Sequence, residues 1–239
     1  MDIKKYFLIA FLFICCFSFS QSIATDRPSA QTDNSYSLYH KAFQVESGVM
    51  YSHSNGELNS SSIPNILLRY GAFDKIEFRF SSDLLLSPIE NKLSISPIQL
   101  GTKIQLTRKE GFQLAFLSMF TFDSVNQNTL TKLVGGNSIS NNFGIGYTLG
   151  HNFAKSNSNN SFNYSIFLSN SFTSKITGFL EFYGDWNYNS SLNRSTINFD
   201  FGSSYLLNDK MQLDAYFGKG FNNDLYFASV GFSYLFIKK

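Results

Sequence analysis

The sequence predicts an all-β protein: a transmembrane antiparallel up-and-down β-barrel of about twelve strands, following a cleaved signal peptide. Three observations predict it. Apolar and polar residues alternate with period two along most of the chain, the mark of strands with one apolar and one polar side. Aromatic residues reach 17% of the 239 residues, with 27 Phe and 13 Tyr, while charged residues are only 15%. After residue 20 no apolar run is long enough for a spanning helix. The composition also argues against disorder, and a formal charge of +2 carries no nucleic-acid signal.

Residues 1–20 read as a secretory signal peptide. Lys4 and Lys5 precede an apolar run from Tyr6 to Phe19, and Ser18 and Ser20 supply the small residues before a cut at Gln21. A lipidated cysteine is the alternative, but Ile14 and Cys15 are poor residues before one. With Cys15 and Cys16 removed, the mature chain has no disulfide. Residues 21–41 are polar and aperiodic and read as an N-terminal periplasmic segment; residues 42–239 are the barrel.

The first strand carries Phe43, Val45, Val49 and Tyr51 against Gln44, Glu46 and Gly48. A polar loop at 53–62 follows, then a hairpin. Its Ile66, Leu68, Tyr70, Ile76, Phe78 and Phe80 share one face, with Arg69, Glu77 and Arg79 on the other. A three-residue connection, Ala72-Phe73-Asp74, would put Arg69 opposite Glu77 and Leu67 opposite Arg79. Residues 87–94 read as another loop. Beyond it, Ile98, Leu100, Ile104 and Leu106 alternate with Gln99, Gly101, Lys103 and Gln105; Phe112, Leu114, Phe116 and Phe120 alternate with Gln113, Ala115 and Thr121.

The second half repeats the pattern. Phe143, Ile145, Tyr147 and Leu149 alternate with Gly144, Gly146 and Gly150, which are therefore lumen-facing small residues rather than a nucleotide loop. Phe162, Tyr164 and Ile166 oppose Asn163 and Ser165. Leu180, Phe182, Trp186 and Tyr188 oppose Glu181, Tyr183 and Asp185; Phe199, Phe201 and Tyr205 oppose Asn198 and Asp200. Leu213 and Phe217 oppose Gln212 and Asp214, and Val230, Phe232, Tyr234 and Phe236 oppose Ser229, Gly231 and Ser233.

These clear strands number eleven. Short turns near residues 74, 109, 174 and 209 are evenly spaced apart from one double interval. A fifth turn near 138–141 divides it and makes 127–136 a weak twelfth strand, giving the even count expected of a single-chain bacterial barrel.

Which face is buried decides between membrane and water. A soluble barrel would carry its Lys, Glu and Asp outside. Here the polar face is rich in Gly, Ser, Asn and Gln, and twelve strands enclose more volume than such side chains fill as a dry core. An aromatic exterior in lipid around a wet polar interior accounts for both faces. Short turns at Asp74, Lys109, Ser174 and Asp209 then lie in the periplasm with both termini, and the longer loops lie outside the cell.

Several motifs, in shared order, resemble the Bacteroidetes-type outer-membrane transporter family named for the meta-pathway of phenol degradation. They are Thr25-Asp26-Arg27-Pro28, Gln44-Val45-Glu46-Ser47-Gly48, Leu68-Arg69-Tyr70-Gly71 with Asp74-Lys75-Ile76-Glu77, and Gly101-Thr102-Lys103. Asn142-Phe143-Gly144, Glu181-Phe182-Tyr183-Gly184, Gln212-Leu213-Asp214 and residues 231–236 continue the series. The resemblance implies a Gram-negative outer-membrane barrel that transports small solutes, with aromatic or hydrophobic compounds as candidates. Its partners would be the lipid bilayer and the barrel-assembly machinery. One departure is Ile237-Lys238-Lys239 after Phe236, where outer-membrane strands often stop at the aromatic.

The candidate chemistry is in the lumen. Glu46, Arg69, Glu77, Arg79 and Lys103 form a charged wall on the first four strands, to bind solute or to pair structurally. Glu181, Asp185, Asp200 and Asp214 give the opposite wall an acidic bias, so a transverse field would orient polar solutes. Thr25, Asp26, Arg27 and Pro28 read as a turn pinning the N-terminus through a local Asp–Arg pair; a periplasmic plug is the alternative. No catalytic residue, cofactor or metal site is expected: His40, His53 and His151 stand in no His-x-Ser arrangement, and no metal-ligand spacing occurs. A structural or adhesive barrel, and a lipase-like barrel, are the alternative functions.

Overall fold

The computed structural model describes residues 23–27, 29–54, 57–87, 92–109, 111–123, 127–155, 160–188 and 195–237. The predicted signal peptide and Pro28 lie outside them. Thirteen strands are present among the described residues: β1 Ala42–Ser54, β2 Glu57–Phe73, β3 Ile76–Ser87, β4 Lys92–Ile95, β5 Ile98–Lys109, β6 Phe112–Phe122 and β7 Asn128–Ser138, followed by β8 Phe143–Ala154, β9 Ser161–Ser171, β10 Ile176–Trp186, β11 Ser195–Asn208, β12 Met211–Gly220 and β13 Tyr226–Ile237. All pair antiparallel with their neighbours. The ring closes where β1 meets β13, with Ala42 opposite Ile237. Twelve strands make the ring, and β4 adds only to the edge of β3.

The weak strand expected at 127–136 is β7, paired on both sides along its length. All five short turns lie at the end of the barrel where β1 begins and β13 ends. Closure satisfies the edge hydrogen bonds that hydrocarbon would leave unmet.

Two expected loops are strand instead. Residues 53–62 belong largely to β1 and β2, and residues 87–94 include the end of β3 and most of β4. Polar side chains are compatible with strand there because the ladder, not an apolar face, supplies the pairing once strands run beyond the membrane.

The β2–β3 register also differs from expectation. The turn is at Asp74 and Lys75, and an irregularity between Gly71 and Phe73 shifts the ladder. Arg69 therefore faces Arg79, Gly71 faces Glu77, and Leu67 faces Ser81. A one-residue bulge suffices to move every partner beyond it.

The two faces divide as the alternation requires. Leu149 (64% exposed), Phe201 (49%) and Trp186 (49%) stand on the outside, whereas Arg69, Glu77, Lys103, Glu181 and Asp200 are fully buried inside. A water-soluble fold would reverse this. The interior is not polar throughout. Phe179, Tyr183, Tyr216 and Phe227 pack together in the lumen, and Leu117, Met119 and Val134 form a second apolar patch.

Candidate functional site

The lumen site is built by the barrel wall and by residues 23–41, which run inside the barrel rather than below it. Ile23 starts at the short-turn end, bonding through its N–H to the Asp209 carbonyl 2.8 Å away and packing with Leu38, Ala42 and Leu235. The segment then crosses the lumen and returns to β1. Having no period of its own, it satisfies its backbone on the wall's side chains.

Asp26 is the centre of the first cluster. Its carboxylate lies against Arg79, 3.3 Å from Lys103 Nζ and 3.8 Å from Arg69 Nη1. Burial alone would raise the Asp26 carboxyl, and Arg69, Arg79 and Lys103 outweigh it, holding it well below the ordinary range. Arg69 in turn meets Glu46 at 2.9 Å and Glu77 at 2.8 Å. Glu46 accepts from the backbone N–H groups of Asp26 (2.9 Å) and Arg27 (3.0 Å). Five wall residues predicted as a charged group are thus brought together, and the N-terminal segment completes their charge.

Asp26 and Arg27 do not pair with each other, contrary to the expected local turn. Arg27 reaches across to Asp214, with Nη2 3.0 Å from Oδ1, and also donates to Asn65 (3.1 Å) and Ser229 (2.8 Å). Its guanidinium lies 5.6 Å from the Tyr216 ring centroid. The slot exists because Gly48 and Gly231 face each other across β1 and β13. A Cβ on Gly231 would meet Arg27 Nε at 2.2 Å, and one on Gly48 would meet Nη2 at 2.7 Å. Thr25 bonds to Gln212, its hydroxyl accepting at 2.8 Å.

The middle of the segment rests on Glu181. That carboxylate accepts from the N–H groups of Ala30 (2.9 Å), Gln31 (3.3 Å) and Thr32 (2.6 Å) and from the hydroxyls of Ser29 and Thr32. Asp200, fully buried, stands directly opposite Glu181 on β11. Asp185 sits further along β10, against the Asn163 amide.

The expected basic wall facing an acidic wall is therefore not what the lumen presents. Glu46 and Glu77 already lie among the bases, Asp26 and Asp33 add to them, and Arg27 is delivered to Asp214. Opposite charges meet at contact distance there, whereas Glu181, Asp185 and Asp200 form no ion pair among the described residues.

Asp33 and Lys132, 2.7 Å apart, were not among the predicted residues. Lys132 sits on weakly alternating β7, and Asp33 on a segment without period, so neither carried a positional signal. Burial favours raising the Asp33 carboxyl, but Lys132 and Arg79 hold it below its ordinary value. The glycines did carry a signal: a Cβ on Gly136 would meet Ser35 Oγ at 2.7 Å and one on Gly146 the Thr32 methyl at 3.3 Å. Small lumen residues make room for the segment.

Two cavities flank the crossing. One of about 190 Å³ opens toward the short-turn end, between the segment and Gly136, Gly144, Gly146 and Ser169. The other, about 180 Å³, lies on the far side against Leu67, Arg79 and Lys132. His151 is outside the lumen, in an aromatic cluster with Phe153 and Phe162, its Nε2 2.8 Å from Tyr188 Oη. No group of three or more metal-ligating side chains occurs among the described residues.

The family described as "Putative MetA-pathway of phenol degradation" matches residues 25–236, from the Thr25 that bonds Gln212 to the end of the closing strand. The chain belongs to this family. Among solved structures, an outer membrane channel from Pseudomonas putida F1 is similar at 10% identity and a TM-score of 0.66, over 84% of this chain and 97% of that one. The KdgM porin in complex with disordered oligogalacturonate is similar at 12% identity and a TM-score of 0.62, over 81% and 99%. The NanC porin gives 8%, 0.63, 80% and 98%. At such identities the likeness is one of fold. No curated protein matches the chain. The family protein described here is an outer-membrane-type β-barrel.

Proposed function

We propose that this family member is an outer-membrane channel for small solutes. The observation that carries the reading is a closed twelve-strand ring with an apolar outside and a charged, partly open inside. In lipid that arrangement leaves the lumen as the polar route across. Glu46, Arg69, Glu77, Arg79 and Lys103 on one side, and Glu181, Asp185, Asp200 and Asp214 on the other, border the route. Aromatic or hydrophobic solutes fit the family's description and the lumen cluster of Phe179, Tyr183, Tyr216 and Phe227. Assembly through the barrel-assembly machinery belongs to the same reading.

Single-channel recording and liposome swelling with a panel of small aromatics and sugars test it. Conductance with solute-dependent swelling is expected; a sealed bilayer under all conditions would overturn it. A structural barrel without transport is the second reading, favoured by the ion-paired segment across the lumen. A lipase-like barrel is the minor alternative, and release of fatty acid in detergent would favour it over the channel.

A further inference from the structure

The polar contacts of the N-terminal segment sort into two anchors and a bridge. Asp26 and Arg27 form the first anchor, on Glu46, Arg79, Lys103 and Asp214. Residues 34–38 form the second. Lys103 Nζ donates to the Asn34 carbonyl at 2.7 Å, and the N–H groups of Ser37 and Leu38 donate to Gln105 (2.7 Å) and Glu77 (2.9 Å).

Residues 29–33 bridge the anchors and are held differently. Glu181 takes their N–H groups and hydroxyls, Thr32 Oγ1 lies 2.6 Å from Ser165 Oγ, and Asp33 meets Lys132 and Arg79. The cavities on the two sides share Asp26, Arg27, Ser29, Thr32 and Asp33 as walls. This stretch, with the first anchor beside it, stands between them.

We infer that residues 29–33 are the gate of the channel and that Glu181 is its latch. The inference rests on the channel reading. Opening requires the bridge to lift while both anchors stay docked, and it joins the two cavities into one passage. The first anchor carries the ion pairs of Asp26 and Arg27, and the second is held by hydrogen bonds to Lys103, Gln105 and Glu77. The bridge is held at two points. Asp33 is ion-paired to Lys132 and Arg79, whereas residues 29–32 rest on Glu181 by hydrogen bonds alone. Neither Glu181 nor Asp200 forms an ion pair among the described residues. A second buried carboxyl opposite Glu181 sets a like group against the latch. Glu181 positions the bridge and need not touch solute.

The test is a disulfide lock with a latch variant, each recorded in planar bilayers as the full chain. Thr32→Cys with Ser165→Cys places two thiols where the hydroxyls now touch. Oxidation should abolish conductance, and dithiothreitol should restore it. Glu181→Gln keeps the shape of the latch and loses charge-assisted acceptance, so the open-to-closed ratio should rise roughly ten- to hundredfold. Heat-modifiable migration on gels checks that each variant is a folded barrel. Conductance that survives oxidation overturns the gate and leaves the channel standing. Silence in every form, including a variant lacking residues 24–37, overturns the channel and the gate with it.

Discussion

Arg69 stands directly across the β2–β3 ladder from Arg79, and the Asp26 carboxylate, brought from the N-terminal segment, reaches both. Like charges opposed in one rung are unfavourable. The wall is therefore built to require an acid from elsewhere in the chain, and Asp26 is that acid. Barrel and segment are parts of one electrostatic unit.

Asp26→Asn should leave Arg69, Arg79 and Lys103 short of one compensating charge. Breaking a buried pair by removing one partner costs about 3–5 kcal/mol. The midpoint of denaturant unfolding in detergent should drop accordingly, and the segment should become sensitive to added protease. An unchanged midpoint with full protease resistance would show that the cluster tolerates the missing charge.

Acid should spare this anchor over most of the carboxylate range. Because the folded-state pKa of Asp26 is depressed, its contribution is complete above the unfolded value of about 3.9. It is lost only as pH falls through the lower folded value. Protease protection of residues 23–41 should accordingly be flat from neutral pH down to about pH 4 and be lost only as the pH falls well below that, toward the depressed folded value. Loss of protection near pH 6 would mean another group controls docking.

Gly231→Ala should evict Arg27 from its slot, since the new Cβ would overlap the guanidinium. Gly144→Ala is the comparison, because its Cβ meets Ser169 Oγ at 3.1 Å and none of the segment. Only the first substitution should raise conductance. Equal effects would separate Arg27 from closure.

Arg27→Lys should fail to substitute. A lysine cannot reproduce the fork that serves Asp214, Asn65 and Ser229 together. Channel opening should lie much closer to that of Arg27→Ala than to that of the native chain, read by single-channel recording.

Phe201→Arg puts a cation on the outer face near the middle of β11. On a lipid-facing surface this should cost about 2–4 kcal/mol. Reversible unfolding in lipid vesicles measures it; a negligible change would place that face against something other than hydrocarbon.

Much of this protein is written in local pattern. Alternation alone assigns Phe201 and Leu149 to the outside and Glu46, Lys103 and Glu181 to the inside, because side chains on a strand change face at every residue. Turn spacing alone calls for β7, since a closed ring cannot hold an odd strand with both ends on one side. Tertiary structure decided the rest. Whether Arg69 faces Glu77 or Arg79 hangs on one bulge near Gly71, which no periodicity reveals. The place of residues 23–41 depends on partners as distant as Arg27 and Asp214, 187 positions apart. A segment without period has no face to read, and its position is set by the charges it neutralises, which become neighbours only after the barrel closes.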